Sequence, residues 1–304
     1  MNAPNFRGLE KDTVDISATE EIKKQEKSGM STGAKWALGI ATTTAAVYGC
    51  VVGHRMLNKP SIEKVAKNFS EIFRRDVSKE EAQKLVERYR EIIKISKTDE
   101  YLEKLFEMVK KDYGFNDMEL KLIVSKLEDG SFKSFREHSI GGSAGILNKE
   151  VVIYPLTSGN NLLSSAQRTS FGTMFHELHH IRQDLHAYRT NPQKLIDAYC
   201  KRLENNHPEF IEMLMRENGC SRTIAVKDMR ADIEKTLNEL FGKYSKFKPN
   251  SAEYKKGMDY INNIEKYIED GPEHFTQLVE KEAHEISAQA RQIFDYCANP
   301  WRIF

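Results

Sequence analysis

The sequence predicts a mixed α+β fold, mainly helical, with a small sheet of about three or four strands set ahead of a helical majority. Three observations predict it. Apolar residues recur at helical spacing from about 61 to 113 and again from about 165 almost to the end. Between these stretches, residues 120–155 form short apolar runs broken by Gly and Asp-Gly turn signals. The chain has 304 residues, 39% hydrophobic and 30% charged, enough to bury a sizeable core and too apolar for a disordered chain.

The elements follow in order. Residues 1–34 are polar, mixed in charge and aperiodic, and read as a flexible tail. Residues 36–53 carry no charge and are just long enough to span a bilayer, although threonines and glycines dilute them. Two readings of the segment 35–55 stay open. One is a single membrane anchor of undetermined orientation, because lysines flank both ends. The other is a small-residue helix packed on protein, which would leave the chain cytoplasmic. Residues 56–114 form a helical region of three helices. Ser78 with Glu81 fits a capping box at the start of the second. Thr98 or Asp99 caps the third, and Gly114 ends it.

Residues 115–304 would form the main domain. Leu120–Leu127 is a strand candidate and Asp129-Gly130 a hairpin turn. Gly145–Leu147 and Val151–Tyr154 flank a second turn, with Pro155 ending the last strand. Helices are expected at about 167–188, 193–205, 208–217, 222–241, 251–270 and 273–294. Lys plus Arg is 46 and Asp plus Glu 45, a balance that gives no pull toward nucleic acid. The four cysteines, Cys50, Cys200, Cys220 and Cys297, are scattered and read as core thiols; a Cys200–Cys220 bridge has nothing to support it.

The chemistry is carried by His176-Glu177-Leu178-His179-His180, an H-E-x-x-H sequence. Residues four apart on a helix lie about 40° apart and one turn along, so two imidazoles reach one metal ion. Glu177 then stands beside that ion as a general base. Phe171, Met174, Phe175, Leu178, Ile181 and Leu185 form an apolar stripe opposite His176 and His180, which leaves the histidines to face a cleft and His179 on neither arc.

A catalytic zinc takes three protein ligands and keeps one open position. His186 has the spacing of the third histidine in H-E-x-x-H-x-x-G-x-x-H. Here Gln183 replaces the glycine that would break the helix, and on an unbroken helix His186 points about 240° away from His180. The later helix offers Glu280, Glu282 and Glu285. Its apolar face, taken as Phe275, Leu278, Val279, Ala283, Ile286, Ala290 and Ile293, has Glu282 about 45° from its centre, Glu285 near its edge and Glu280 further round. A carboxylate on a buried face is costly unless paired or bound to metal, which makes Glu282 the expected third ligand; the alternative is a Glu282 at the margin of the stripe that reaches solvent or pairs with a lysine.

H-E-x-x-H followed by a distant Glu280-Lys281-Glu282-Ala283 resembles the gluzincin class of zinc metallopeptidases, with His284 standing where many members have Asp or Asn. The resemblance covers about 150–190 and 275–292. It implies a zincin-like domain with an active-site helix, a C-terminal helical lobe supplying Glu282, one Zn2+, and Val151–Tyr154 as the edge strand beside the cleft. The expected activity is hydrolysis of a peptide or protein substrate by a metal-activated water, with Glu177 as base. Tyr154, Tyr188, Arg182 and His186 neighbour the motif, and nothing in the sequence selects an oxyanion stabiliser among them. The competing readings are a catalytically inactive scaffold that binds or regulates a partner, and a helical protein with a chance motif. Met213, Met215 and Met258 read as core, and His138, His207 and His274 lack partners at ligand spacing. Trp36 fits an interfacial anchor and Trp301 a packed C-terminal end.

Overall fold

The computed structural model describes residues 60–125, 142–155, 157–158, 161–162, 164–269 and 272–298. Residues 36–53, the Asp129-Gly130 turn, His138, Cys50 and Trp301 lie outside them. Among the described residues, no helix is long and apolar enough to cross a membrane.

Three helices come first: α1 (Ile62–Phe73), α2 (Lys79–Ile93) and α3 (Thr98–Asp112). Ser61 and Ser78 cap α1 and α2 by accepting from backbone amides three residues on. The capping box at Ser78 is half made, because the Glu81 carboxylate turns to Arg75 at 2.7 Å. Lys97, not Thr98 or Asp99, occupies the N-cap of α3 and offers no side-chain bond; Thr98 is instead the buried first residue of the helix. Gly114, at φ +77°, lets the chain leave α3 with Phe115 N–H bonded to Lys110 O and Gly114 N–H to Lys111 O.

The small sheet has order β1-β3-β2, with β1 at Lys121–Val124, β2 at Gly142–Gly145 and β3 at Glu150–Ile153. β2 and β3 are an antiparallel hairpin, Ser143 facing Val152, turned through Lys149 at φ +56°. β1 adds to the other side of β3 in parallel, Leu122 facing Val151. Val151–Tyr154 is therefore not the edge expected from the resemblance. β3 is central, and its inward residues Val151 and Ile153 are fully buried. The strand paired with it runs from Gly142 to Gly145 rather than from Gly145 to Leu147, and Ile146 and Leu147 fall in the turn. Thr157–Ser158 (β4) and Asn161–Leu162 (β5) form a separate two-stranded pair.

Six helices follow: α4 (Ser164–Thr190), α5 (Pro192–Asn206), α6 (Pro208–Asn218), α7 (Arg222–Phe241), α8 (Ala252–Glu265) and α9 (Leu278–Cys297). The expected 251–270 and 273–294 helices are thus shortened and shifted. Pro272 removes a backbone donor near the junction, and a 3-10 turn at His274–Thr276 joins α8 to α9. Helix α4 is the axis of this unit. Phe171, Met174, Phe175, Leu178 and Ile181 have no solvent exposure, and Thr173, His179, Gln183, Asp184 and Ala187 on other sides of the helix are buried as well. Phe175 touches the rings of Phe73, Tyr89, Tyr113 and Phe171, centroids 5.1–6.5 Å apart, so α1–α3 share one aromatic core with α4. Each such pair adds about 0.5–1.5 kcal/mol beyond its buried area. Residues 55–304 form one compact unit. The described cysteines Cys200, Cys220 and Cys297 form no disulfide with one another.

Candidate metal centre

The centre lies where α4 and α9 pack antiparallel. Gln183 meets Val279 at one end, Gly172 meets Ser287 and Arg291 further along, and Arg168 binds Asp295 beyond that. The i, i+4 spacing brings His176 Nε2 and His180 Nε2 to 3.1 Å. The third vertex is Glu280: its Oε2 lies 3.5 Å from His176 Nε2 and its Oε1 3.5 Å from His180 Nε2. One ligand atom from each residue falls within 4.8 Å of the other two. Ligand atoms about 2.0–2.1 Å from a tetrahedral zinc stand roughly 3.3–3.4 Å apart. The two imidazole nitrogens stand close to that spacing, and each faces a different oxygen of the one Glu280 carboxylate, so with one ligand atom from each residue the three gather within 4.8 Å, close enough to converge on one ion.

Glu282, the expected third ligand, is turned away from the pair. Its carboxylate accepts from Tyr260 Oη at 2.5 Å, pairs with Arg74 at 3.3 Å and with Lys256 at 2.9 Å. The correction has a physical cause. The apolar face of the helix was centred using Phe275 and Leu278, yet these are 56% and 37% exposed. Without them the buried stripe of α9 runs through Val279, Glu280, Ala283, Ser287 and Ala290, which places Glu280 inside it at 3% exposure. Glu285 is exposed. His186 stays on an unbroken α4, with Nε2 on Glu253 O at 2.7 Å and its ring against Phe247 and Tyr260.

Gln183, whose presence breaks the three-histidine pattern, has a role of its own. Its amide donates to Val279 O at 3.0 Å, which leaves Oε1 facing His180 Nδ1 at 3.0 Å. Nδ1 then carries the proton, and the Nε2 lone pair points at the triad. On the other side, Tyr267 Oη donates to Glu280 Oε1 and orients that carboxylate. Arg202 lies 4.1 Å over the Tyr267 ring and pairs with Glu269, fixing the tyrosine in turn. His274 Nε2 is 3.5 Å from Glu280 Oε2, and the His284 ring lies tilted against His176, centroids 4.8 Å apart.

Charge states follow from this packing. Burial raises the Glu280 carboxyl, but the His176 hydrogen bond, the His180 charge and Tyr267 outweigh it and hold it at about 2. Burial drives His180 down to about 3, so its imidazole is neutral near neutral pH. At His176 burial also pulls downward, but Glu280 and Glu177 reverse the sign and the net shift is upward. Glu177 is 5% exposed. Burial raises its carboxyl to about 7, with the His176 charge opposing and Glu280 reinforcing. Strand β2 seals one side of it: a Cβ at Gly142 would lie 3.1 Å from Glu177 Cγ, 2.7 Å from Thr173 Cγ2 and 2.8 Å from Val152 O. His179 is buried with neither ring nitrogen hydrogen-bonded, 3.9 Å from Glu282, and burial lowers it to about 4.

His176, Glu177 and His180 are thus brought together with a carboxylate from a helix about a hundred residues on, as the motif demands. The sequence reading gave Gln183 and His284 no place at the site, passed over Tyr267, and left His274 without a partner, whereas it faces Glu280. The signal for Gln183 was its i+3 position after His180. For Tyr267 and His274, in a connection between helices, no periodic signal existed. Of the neighbours considered for the oxyanion, Arg182 is committed to Ile72 O and Phe73 O, and Tyr188 to Asn238. No known family model, curated protein or solved structure matches the chain.

Proposed function

We propose that the chain is a zinc-dependent metallopeptidase that hydrolyses peptide bonds at the centre formed by His176, His180 and Glu280, with Glu177 as general base. The observation that carries the reading is the convergence of two imidazole nitrogens, 3.1 Å apart, on one carboxylate whose two oxygens lie 3.5 Å from one nitrogen each, with the buried Glu177 carboxyl next in sequence to His176. Two neutral-nitrogen donors and one carboxylate suit zinc better than a hard, all-oxygen cation.

A zinc ion there would supply Lewis acidity toward a carbonyl oxygen and bring the pKa of a coordinated water to about 7. Glu177 accepts the proton of the attacking water and returns it to the nitrogen of the departing amine. Burial raises its carboxyl in the metal-free protein, and a cation at the triad would draw it back toward the ionised base that the first step needs. Gln183 and Tyr267 hold His180 and Glu280 in their orientations and take no part in bond making.

The test is elemental analysis of the purified full chain after dialysis, together with mapping of cleavage products from a defined peptide mixture by mass spectrometry. Near-stoichiometric zinc in both the wild type and Glu177→Gln is expected, with hydrolysis lost about 10²-fold or more in the variant. Full activity in Glu177→Gln, or no zinc taken up on addition, ends this reading.

A further inference from the structure

Beyond the metal triad, α9 carries one more group on the same face. Arg291 follows Glu280 by eleven residues and His284 by seven, which at 100° per residue returns all three to within about 20–40° of one another. Its side chain folds across α4 at Gly172, four residues before His176 and so about 6 Å from it along the axis. A Cβ at position 172 would lie 2.6 Å from Arg291 Nε and 2.9 Å from its Cγ, so only a bare backbone admits it. Glycine inside a helix is a cost relative to alanine. At Gly172 that cost makes room for a guanidinium.

One nitrogen of the guanidinium so admitted is left unsatisfied. Arg291 Nε is buried and makes no hydrogen bond. Among the described residues no carboxylate pairs with Arg291. The acid one turn along its own helix, Asp295, is already held by Arg168 through bonds of 2.7 and 2.8 Å. Burial and the neighbouring Arg168 charge both act against the cation, lowering its pKa. A half-buried arginine with no anion is poorly compensated, and its planar fork matches a carboxylate.

We propose that Arg291 is the receptor for a substrate carboxylate lying one residue beyond the scissile bond. The proposal rests on the metallopeptidase reading. With the reacting carbonyl at the triad, the next residue adds 3.8 Å of chain. A carboxylate attached there then comes within reach of a cation about one helical turn from His176. Two sources carry this chemistry: the free C terminus of a peptide cut at its last bond, and an Asp or Glu side chain at that position.

The test uses the zinc-loaded full chain carrying Glu177→Gln, titrated calorimetrically with three probes. These are acetyl-Ala-Ala-Phe-Phe as the free acid, the same peptide as its amide, and the amide with Asp as its last residue. The expected result is that one or both carboxylate peptides bind at least tenfold tighter than the plain amide, and which of them does so names the source. Adding Arg291→Met, or Gly172→Ala to displace the arginine stem, should bring them to the amide's affinity and leave the amide unchanged. Equal binding of all three, or a preference that survives both substitutions, overturns the proposal. Zinc content is read on the same samples. Absence of zinc ends the peptidase reading alone; an Arg291-dependent preference in zinc-free protein leaves the carboxylate receptor standing.

Discussion

At the scale of single residues, the tautomer of His180 is decided by Gln183. An acceptor at Nδ1 forces the proton onto that nitrogen and frees Nε2 for a metal. Gln183→Leu removes the acceptor, whereas Gln183→Glu keeps it and loses only the donation to Val279 O. Zinc affinity, measured by competition with a chelating dye, should therefore fall about 10–100-fold in the leucine variant and much less in the glutamate variant. Equal losses in both would show that Gln183 acts only through packing.

The two glutamates of α9 separate in the same way. Glu280→Ala should abolish stoichiometric zinc while the protein stays folded. Glu282→Ala should retain zinc but lower the unfolding midpoint, because it leaves Arg74 and Tyr260 without their carboxylate. Retention of zinc in Glu280→Ala would return the choice of third ligand to the other side chains. This is also where the sequence was least legible. His176, Glu177 and His180 are local and could be read from spacing. The choice between Glu280 and Glu282 turned on whether Phe275 and Leu278 are covered, a tertiary fact that no helical wheel contains.

At the scale of elements, α4 is buried along most of its length, and it carries acids and amides that an interior helix must satisfy. Asp184 is the clearest case. It is buried and accepts from Tyr199 Oη at 2.6 Å. Burial raises its carboxyl from 3.8 to about 7, with Tyr199 and Arg202 opposing. The sign is fixed by that direction. Below pH 3.8 both folded and unfolded forms are protonated and nothing is lost. Between 3.8 and about 7 only the unfolded form ionises, so stability falls as pH rises, by up to about 1.4 kcal/mol per pH unit. Asp184→Asn keeps an acceptor for Tyr199 without the titration. Urea unfolding of metal-free protein from pH 4 to 8 should therefore show the variant gaining on the wild type by a few kcal/mol across that window. Parallel pH curves for the two proteins would reject the assignment. Helix boundaries in this part of the chain were legible because caps and prolines are local: Pro192 and Pro208 open α5 and α6, and Gly219 closes α6 at φ +58°. The sheet was only half legible, because β1 joins β3 in parallel across residues 125–149, and pairing at that separation leaves no mark in alternation.

At the scale of the whole molecule, the three N-terminal helices pack into the same core as α4, although in the sequence they look like a preface to it. Their buried rings, Phe69, Phe73, Tyr89 and Tyr101, have at most 5% exposure. Phe73 and Tyr89 lie directly against Phe175. Tyr101 Oη donates to Gln167 O on α4, and Asn68 donates to Gln292 on α9. Arg182, five residues past Glu177, has its guanidinium closed by the C-terminal carbonyls of α1, Ile72 O at 2.7 Å and Phe73 O at 2.9 Å. Removing residues 1–114 would strip these partners at once. Each large apolar side chain uncovered on α4 and α9 costs about 1.5–3 kcal/mol, and an orphaned buried guanidinium costs several more. A handful of such losses exceeds the roughly 5–15 kcal/mol that holds an ordinary domain folded. The fragment 115–304, which contains every residue of the triad, should therefore show no cooperative thermal transition and weak near-ultraviolet dichroism even with zinc added. A sharp transition near that of the full chain would mean instead that α4, α9 and the sheet form a self-sufficient unit and that the aromatic core with α1–α3 is an interface between two stable parts.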